Sequence, residues 1–372
     1  MTRIIFAGGG TGGHLYPGIA IARALVRQRP SVAPFFIGAQ RGIEREVLPK
    51  TEFPHLLLDL HPLYRTRPWE NYRTLAGAVT AWRQIGRLVK AERPAVIVGT
   101  GGYAAGLMLA YGVVHHLPMV QQAGDSVPGL TARAFSRWSN EIYLNFPEAA
   151  SVLRAHHAGS LIDTGAPIEP PPSPLPDRAA AREAWGFPRT GGHVLLVYGG
   201  SQGSLAINRV VGEWVDRGLP ADLYVIWATG RSTYDQFKRF ESDRVRVRDY
   251  LAPIATAYAA TDLALARAGA MTTAELFAWG IPGVLVPLPT AAANHQATNA
   301  ITLERAGAAV HVPQAQLTTD RLDETMRGLL GDPSELDRLA AGARARARPH
   351  AADEIARRIL AIVDAHTTAR AG

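Results

Sequence analysis

The sequence contains no cysteine, which excludes disulfide bonds and thiolate metal sites and permits a reducing compartment. No Gly-Lys-Ser or Gly-Lys-Thr occurs in it, so a P-loop nucleotide triphosphatase is excluded as well. Its first apolar run, residues 4–7, is too short for the core of a signal peptide. We therefore expect a cytoplasmic protein.

Lysine is nearly absent, because only Lys50, Lys90 and Lys238 contribute to the 39 basic residues and all others are arginines. The 32 acidic residues leave a formal net charge of +7. Since arginine suits bidentate contacts with phosphate, the charge indicates nucleic acid, an anionic membrane surface or a phosphorylated small substrate as partner. No lysine-rich tail or aromatic–basic RNA signature occurs, so nucleic acid is not expected.

The 372 residues, 47% of them hydrophobic, suffice for two domains. Two segments share one pattern of apolar strand, glycine-rich loop and helix. In residues 4–26 the loop is 8–13 and the helix is predicted over 17–26; in residues 194–215 the loop is 199–203 and the helix is predicted from about 205 to 215. Further apolar strands alternate with helices in both halves. The sequence therefore predicts an α/β protein of two Rossmann-like domains, each with a doubly wound parallel sheet.

Six of the ten residues 167–176 are prolines, which favour extended backbone and a domain boundary. We predict an N-terminal domain over residues 1–166, a Pro-rich linker over 167–189, a C-terminal domain over 190–345 and a last helix within 346–372. Residues 94–124 carry no charge, but their six glycines and Pro118 favour a buried strand–helix–strand unit over a membrane span.

The first glycine loop, residues 8–13, precedes a helix, where backbone N–H groups and the helix dipole favour a phosphate. Gly8, Gly10 and Gly13 also satisfy a dinucleotide fingerprint. That fingerprint requires an acid at the end of the second strand, about 20 residues on, and no acid occurs there before Glu44. Tight turns without any ligand are a third interpretation.

The second glycine loop, residues 199–203, fits Gly-x-Ser-x-Gly, the nucleophile elbow of hydrolases. Asp262 and His295 follow Ser201 in the order of a catalytic triad. A hydrolase, however, does not need a matching glycine loop in a separate domain. Paired phosphate-binding loops explain both segments, and Ser201 as a nucleophile is kept as an alternative.

Two further clusters carry hydroxyl, amide and carboxylate groups. Residues 267–275 follow an apolar strand and start a helix, so they could hold a diphosphate while Glu275 accepts both hydroxyls of a ribose. The alternative is a capping box formed by Thr272 and Glu275. Residues 294–300 could bind sugar hydroxyls through their amides, or merely cap a helix.

Four segments in register carry a resemblance: Gly-Gly-Thr-Gly-Gly-His-Leu-Tyr-Pro-Gly (9–18), Gly-Gly-Ser-Gln-Gly (199–203), Gly-Ala-Met-Thr-Thr-Ala-Glu (269–275) and His-Gln-Ala-Thr-Asn-Ala (295–300). In order and spacing, from about residue 3 to 345, the chain resembles the MurG family, which transfers N-acetylglucosamine from UDP-N-acetylglucosamine to polyisoprenoid-linked lipid I. The resemblance implies a GT-B fold with two domains facing across a cleft and the last helix crossing back to the first domain. It also implies an inverting reaction without metal or other cofactor, and no Asp-x-Asp occurs.

The resemblance also implies roles for individual residues. In the C-terminal domain the donor would meet Leu251 at uracil, Glu275 at the ribose and Gln296 at the sugar. The donor diphosphate would meet a larger set: Ser201, Ala270, Met271 and Thr272, with Thr273 and Ala274 beside them. In the N-terminal domain, the acceptor diphosphate and the transferred sugar would face Thr11, Gly12 and Gly13, with His14 as the candidate general base.

The sequence departs from the family pattern on the acceptor side. Residues 122–125 read Gln-Ala-Gly-Asp instead of His-Glu-Gln-Asn, Ala166 and Glu169 replace an Asn and an Arg, and Asn294 replaces an Asp. Asp125 is expected to act as a base or acceptor contact, and Glu169 to lie at the acceptor site. Three arginines are candidates for the lost positive charge: Arg133, Arg137 and Arg267. These changes favour, as the alternative, a related GT-B transferase with another acceptor or nucleotide sugar; an inactive binding protein is a further one.

A polyisoprenoid acceptor requires a peripheral site on the anionic inner face of the cell membrane. One segment combines aromatic, apolar and basic side chains as such a site would: Trp69, Tyr72, Leu75, Val79, Trp82, Arg83, Arg87 and Lys90. Four of these residues have helical spacing (72, 75, 79 and 82), so a buried helix face is the competing interpretation.

Overall fold

A computed structural model gives the structure of residues 1–60, 71–157, 159–200 and 202–371, with the backbone alone for residues 71–76 and 368–371. The chain divides into two compact units, Met1–Glu169 with His350–Gly372, and Pro170–Pro349. Each unit contains one sheet whose paired strands all run parallel. The predicted α/β class with two doubly wound parallel sheets is confirmed.

The described residues form thirteen strands and fourteen α-helices. The strands are β1 Thr2–Gly8, β2 Val32–Ala39, β3 His55–Leu58, β4 Val96–Gly101, β5 Met119–Ala123, β6 Glu141–Leu144, β7 Leu161–Asp163, β8 His193–Tyr198, β9 Leu223–Ala228, β10 Val245–Arg248, β11 Leu263–Ala266, β12 Gly283–Leu285 and β13 Ala309–His311. The helices are α1 Gly12–Gln28, α2 Glu44–Val47, α3 Asn71–Glu92, α4 Tyr103–Val114, α5 Leu130–Phe135, α6 Arg178–Ala184, α7 Leu205–Arg217, α8 Tyr234–Phe237, α9 Ala255–Ala260, α10 Ala270–Ala278, α11 His295–Arg305, α12 Thr319–Leu330, α13 Pro333–Arg346 and α14 Ala351–Ala371.

The two sheets have the same strand order around their centres. The first is β3-β2-β1-β4-β5-β6-β7 and the second is β10-β9-β8-β11-β12-β13. In each sheet the chain moves outward from its first strand in one direction and then returns to build the other side. This creates a topological switch point between β1 and β4 and another between β8 and β11, where ligands of open α/β sheets bind at the carboxyl ends of the strands.

Apolar side chains cover both faces of each sheet, which is why the strands read as unbroken hydrophobic runs. In β1, Ile4 and Phe6 pack toward α1 and α14, whereas Ile5 and Ala7 pack toward α4. In β8, Leu195 and Val197 share a cluster with residues of α7 and α12. The uncharged segment 94–124 consists of β4, α4 and β5, and no helix within the described ranges is long and apolar enough to cross a membrane.

Residues 167–189, predicted as a linker, are not extended throughout. Residues 178–184 form α6, and Arg182 of this helix donates hydrogen bonds to Asp262 Oδ2 at 2.7 Å and to the Gly191 carbonyl at 3.1 Å. At the other end of the chain, α14 packs against α1 in the first unit, where Arg29 makes a bidentate contact with Asp364 at 2.7 and 2.8 Å.

Candidate active site

The first switch point brings two glycine turns into contact, the one after β1 and the one after β4. The Gly9 N–H donates to the Gly101 carbonyl at 3.3 Å. A Cβ on Gly102, whose φ is +76°, would overlap the Gly9 carbonyl, and a Cβ on Gly101 would lie 2.7 Å from His14 Cδ2. Because these turns approach so closely, only glycine fits at positions 101 and 102. The β4 turn packs against the His14 imidazole.

The loop after β1 ends at Thr11, which is extended at φ −139° and ψ 161° and precedes the first residue of α1. The helix therefore begins at Gly12, five residues before the predicted start at residue 17, and its first turn contains Gly12, Gly13 and His14. The Thr11 side chain does not cap the helix, and the first turn has no acidic residue. In the described part of the chain the N–H groups of Gly12 and Gly13 have no backbone acceptor, which leaves them for an anion.

The Thr11 hydroxyl and His14 Nδ1 are 3.1 Å apart, and His14 is half-buried. When Nδ1–H donates to Thr11 Oγ1, the other ring nitrogen, Nε2, is unprotonated and can accept a proton from a substrate hydroxyl. The opposite tautomer would protonate Nε2 and abolish this role. Thr11 thus has the position to select the tautomer that a general base needs.

Thr11→Val removes the hydroxyl that accepts the hydrogen bond from His14 but keeps the shape of the side chain. It should lower kcat by about tenfold, because the orientation of a general base contributes only part of the rate enhancement that the base provides. Thr11→Ser, the matched control, keeps the hydroxyl and should retain nearly the full rate. Steady-state kinetics with saturating donor measures both. Equal rates for the two variants would contradict a role for the Thr11 hydroxyl.

Glu44 is a site residue that the sequence analysis missed. Its side chain is completely buried and accepts hydrogen bonds from Gly10 N at 2.9 Å and Ala39 N at 3.0 Å. The acid after the second strand therefore does not bind a ribose, as a dinucleotide site would require. It accepts hydrogen bonds from the glycine loop and from the end of β2, and so fastens the loop in its conformation. A Cβ at Gly9, Gly38 or Gly42 would collide with the Glu44 side chain.

Glu44→Ala should lower the free energy of unfolding by about 2–4 kcal/mol, since it leaves two buried N–H groups without an acceptor. Glu46→Ala is the matched control, because Glu46 is exposed on the same short helix, α2. Urea unfolding of both variants gives the comparison. If the two variants were equally stable, Glu44 would not fasten the loop.

The other predicted acceptor-side residues are more dispersed. Asp125 lies half-buried in the loop after β5, at the same edge of the sheet as the loops after β1 and β4. Gln122, in the replaced motif, is buried, and neither of its amide atoms has a partner within the described ranges. Glu169 is exposed and contributes to a raised pKa of Arg23, whose main cause is the hydrogen bond to Glu52.

The second switch point carries the loops after β8 and β11. Ser201 lies outside the described residues. The helix after this loop, α7, begins at Leu205 with Ser204 as its N-cap, whose hydroxyl accepts from Ile207 N at 3.4 Å. Arg267, beside it, is buried and donates to the carbonyls of Val286 and Pro287 and to the Ser204 hydroxyl. Arg267 therefore stabilises these loops of the second unit, and its suggested role in replacing the lost charge at the acceptor stays a prediction.

Helix α10 begins at Ala270 with Gly269 as its N-cap. The capping-box interpretation is wrong, because Thr272 is the third helical residue and Glu275 the sixth. Thr273 is buried and its hydroxyl donates back to the Gly269 carbonyl at 3.2 Å. The remaining predicted contacts lie among the first six residues of this helix and are half-buried: Ala270, Met271, Thr272, Ala274 and Glu275.

Glu275 Oε2 accepts a hydrogen bond from Tyr258 Oη at 2.9 Å. Leu251 follows β10 and is buried. Gln296, in the first turn of α11, accepts from Leu288 N at 3.0 Å through its Oε1. All three residues follow carboxyl ends of strands in the second sheet. In the described part of the chain, no three His, Asp or Glu residues form a group that could hold a metal ion.

Known proteins show the same organisation. Residues 4–144 match the glycosyltransferase family 28 N-terminal domain and residues 194–355 the glycosyltransferase family 28 C-terminal domain. Two curated relatives are both named UDP-N-acetylglucosamine–N-acetylmuramyl-(pentapeptide) pyrophosphoryl-undecaprenol N-acetylglucosamine transferase. The one from Salinibacter ruber is 40% identical, with 98% of both chains covered, and the one from Chlorobaculum parvum is 36% identical, with 97% of this chain and 99% of the relative covered.

The chain belongs to the MurG family.

A crystal structure of Acinetobacter baumannii MurG resembles this chain with a TM-score of 0.77 at 24% identity, covering 97% of this chain and 99% of that one. A UDP-glucose:anthocyanidin 3-O-glucosyltransferase in complex with UDP matches at a TM-score of 0.69 and 13% identity, covering 98% of this chain and 99% of that one. These likenesses show the fold. The predicted GT-B fold is confirmed, and the protein is a MurG-family glycosyltransferase.

The hydrolase alternative is wrong for this MurG-family chain. Asp262 precedes β11 and accepts from Arg182 Nη2 at 2.7 Å and Val194 N at 2.8 Å, at the amino edge of the sheet. A six-residue strand separates this edge by about 20 Å from the carboxyl edge, where the glycine loop after Tyr198 begins, so Asp262 does not lie beside the start of that loop.

Proposed function

We propose that the protein transfers N-acetylglucosamine from UDP-N-acetylglucosamine to the 4-hydroxyl of lipid I, giving lipid II for peptidoglycan synthesis. One observation supports the proposal: each sheet has a switch point whose loops can bind a ligand, and the two switch points present different chemical groups. The first presents a histidine beside helix N–H groups that have no backbone acceptor in the described part of the chain. The second presents the Thr272 hydroxyl in the first turn of α10 and the Glu275 carboxylate in its second turn. The names of full-length relatives agree with this assignment.

In the acceptor half of the reaction, His14 Nε2 takes the proton from the 4-hydroxyl as its oxygen attacks C1 of the donor sugar. The N–H groups of Gly12 and Gly13 hold the acceptor diphosphate. The C1–O bond to UDP breaks on the opposite face, so the anomeric configuration inverts. Asp125 and Glu169 stay proposed acceptor contacts on the first unit.

In the donor half, UDP leaves with the bonding electron pair and gains negative charge. The N-terminus of α10, with Ala270, Met271 and Thr272, stabilises that charge through backbone N–H groups and the helix dipole, without a metal ion. Glu275 holds the ribose, Leu251 contacts uracil and Gln296 contacts the sugar. Ser201 is proposed at the diphosphate on the strength of the motif alone.

UDP release with UDP-N-acetylglucosamine and a soluble lipid I analogue tests the proposal. Release that depends on the acceptor is expected. Release without an acceptor would mean donor hydrolysis and would overturn the transferase proposal. If the protein binds UDP-N-acetylglucosamine but releases no UDP with this acceptor, its acceptor is a different molecule, as the replacements at residues 122–125 and 169 would suggest.

The lipid-linked acceptor also requires contact with a membrane, and we propose that the protein binds the inner face of the cell membrane peripherally. Around α5, three large apolar side chains are exposed beside two exposed arginines, and we call this set the α5 surface: Val127, Leu130, Arg133, Arg137 and Trp138. The Arg137 guanidinium lies 5.1 Å from the Trp138 ring centroid. Apolar groups interleaved with cations suit an anionic lipid surface.

The helix proposed from sequence for membrane contact is divided between two environments. Trp69 lies outside the described residues, and only the backbone is described at Tyr72 and Leu75. Val79 is exposed, whereas the Trp82 ring packs 5.0 Å from the Tyr111 ring. Four of the residues proposed for membrane contact are exposed on α3: Val79, Arg83, Arg87 and Lys90. Trp82 therefore contributes to the core, and the rest of this side supports a cationic membrane surface.

The double variant Leu130→Ser, Trp138→Ser should reduce flotation with vesicles of phosphatidylglycerol by about tenfold, because two exposed apolar anchors are lost. Leu175→Ser removes an equally exposed leucine from the second unit and should float like the unmodified protein. Higher salt should weaken binding in all of them. If the unmodified protein stays unbound at low salt, or the double variant floats equally well, the α5 surface does not bind membranes.

A further inference from the structure

Two buried tyrosines lie next to the Glu275 carboxylate, the predicted ribose ligand. Tyr198 is the last residue of β8, and Tyr258 lies in α9. The two hydroxyl oxygens are 3.3 Å apart, and Tyr258 Oη donates to Glu275 Oε2 at 2.9 Å. A chain of two hydrogen bonds thus joins the Glu275 carboxylate to the Tyr198 hydroxyl through Tyr258.

Both rings are held in place by packing. Tyr198 and Tyr258 are 6% and 3% exposed, their ring centroids are 6.5 Å apart, and Trp279 lies 5.7 Å from Tyr258. Burial raises the pKa of both phenols far above the ordinary value, so each keeps its proton at any physiological pH. Tyr258 is therefore a permanent donor to a carboxylate, fixed in direction by its surroundings.

One end of this chain is the proposed ribose contact, the Glu275 carboxylate in α10. A carboxylate on a flexible side chain loses conformational freedom when it binds two hydroxyls. A hydrogen-bond donor that orients the carboxylate before the ribose binds lowers that entropic cost.

We propose that Tyr258 and Tyr198 are positioning residues for the nucleotide: Tyr258 holds the Glu275 carboxylate toward the ribose, and Tyr198 holds the Tyr258 hydroxyl. This inference rests on the proposed function, because it takes Glu275 as the ribose ligand. It adds a specificity claim. The preference for a ribonucleotide over a deoxyribonucleotide depends on two phenol hydroxyls that do not touch the nucleotide.

Isothermal titration calorimetry with UDP and 2′-deoxy-UDP tests this claim. The unmodified protein should bind UDP at least about tenfold more tightly than 2′-deoxy-UDP, as expected for a hydroxyl bound by a charged acceptor. Tyr258→Phe should weaken UDP binding about fivefold and 2′-deoxy-UDP binding clearly less, because 2′-deoxy-UDP has only one ribose hydroxyl left to contact the Glu275 carboxylate. Tyr198→Phe should shift the ratio in the same direction by less, and the double variant should lose less than the product of the two effects.

Tyr224→Phe is the matched control, because it removes a phenol hydroxyl from the second unit, in β9, outside this chain of hydrogen bonds. It should keep the ribose preference. Failure of the unmodified protein to bind UDP would overturn the proposed function itself. If Glu275→Gln abolishes the ribose preference but Tyr258→Phe retains it, or Tyr258→Phe weakens both nucleotides equally, the positioning claim is overturned. Should Tyr258→Phe not fold, Tyr198→Phe decides by the same ratio.

Discussion

His14→Ala should lower kcat by roughly 10²–10⁴-fold, the range that a positioned general base contributes. The affinity for UDP-N-acetylglucosamine should hardly change, because His14 belongs to the first unit and the proposed donor contacts Glu275 and Gln296 belong to the second. The loss would arise from one ring nitrogen, Nε2, since Nδ1 is engaged with the Thr11 hydroxyl. A fall in kcat with constant donor affinity separates a catalytic group from a binding group.

The measurement is UDP release at saturating donor and acceptor, with donor binding followed separately by calorimetry. His350→Ala is the matched control, because His350 is exposed between α13 and α14 and should be dispensable. A His14→Ala variant with nearly the full rate would remove His14 from the mechanism and leave Asp125 as the candidate base.

Glu275→Ala should have the opposite kinetic signature. Hydrogen bonds to a charged acceptor contribute about 1.5–3 kcal/mol each, so loss of the ribose contacts should raise the dissociation constant for UDP about 100-fold. The value of kcat at saturating donor should fall much less, since the carboxylate does not touch the reacting carbon. Tyr258 would also lose its acceptor, so some loss of stability should accompany the change.

Calorimetry with UDP measures this effect directly. Glu324→Ala is the control, because Glu324 is exposed on α12 and pairs with Arg321 on the surface of the same unit. An unchanged dissociation constant in Glu275→Ala would show that the ribose binds elsewhere. Together, the His14 and Glu275 variants divide catalysis from donor binding between the two units.

The sequence predicted the two sheets and their loops because their signals are local. Apolar runs of four to seven residues followed by glycines define β1 and β8, and glycine is required there by backbone geometry that other residues rarely adopt. The same locality explains the prediction of residues 269–275 as a helix start. The start of α1 was placed five residues late, since Gly12 and Gly13 are poor helix formers in isolation and tertiary packing overrides their propensity.

Contacts across the sheet were not predictable in this way. Glu44 is more than 30 residues from Gly10 in sequence, and its burial depends on how the loop after β2 folds back behind the glycine turn. Nothing local distinguishes an acid that fastens a loop from one that binds a ribose. Likewise Trp82 and Val79 share a helical spacing, but only packing against Tyr111 places one inside and the other outside.

The most direct test of the whole account is a crystal structure of the protein with UDP-N-acetylglucosamine. We expect the diphosphate at the N-terminus of α10, the ribose hydroxyls within hydrogen-bond distance of Glu275, and uracil against the Leu251 backbone. A nucleotide bound at the turn after β1 instead, with the second switch point empty, would contradict the assignment of donor and acceptor sites.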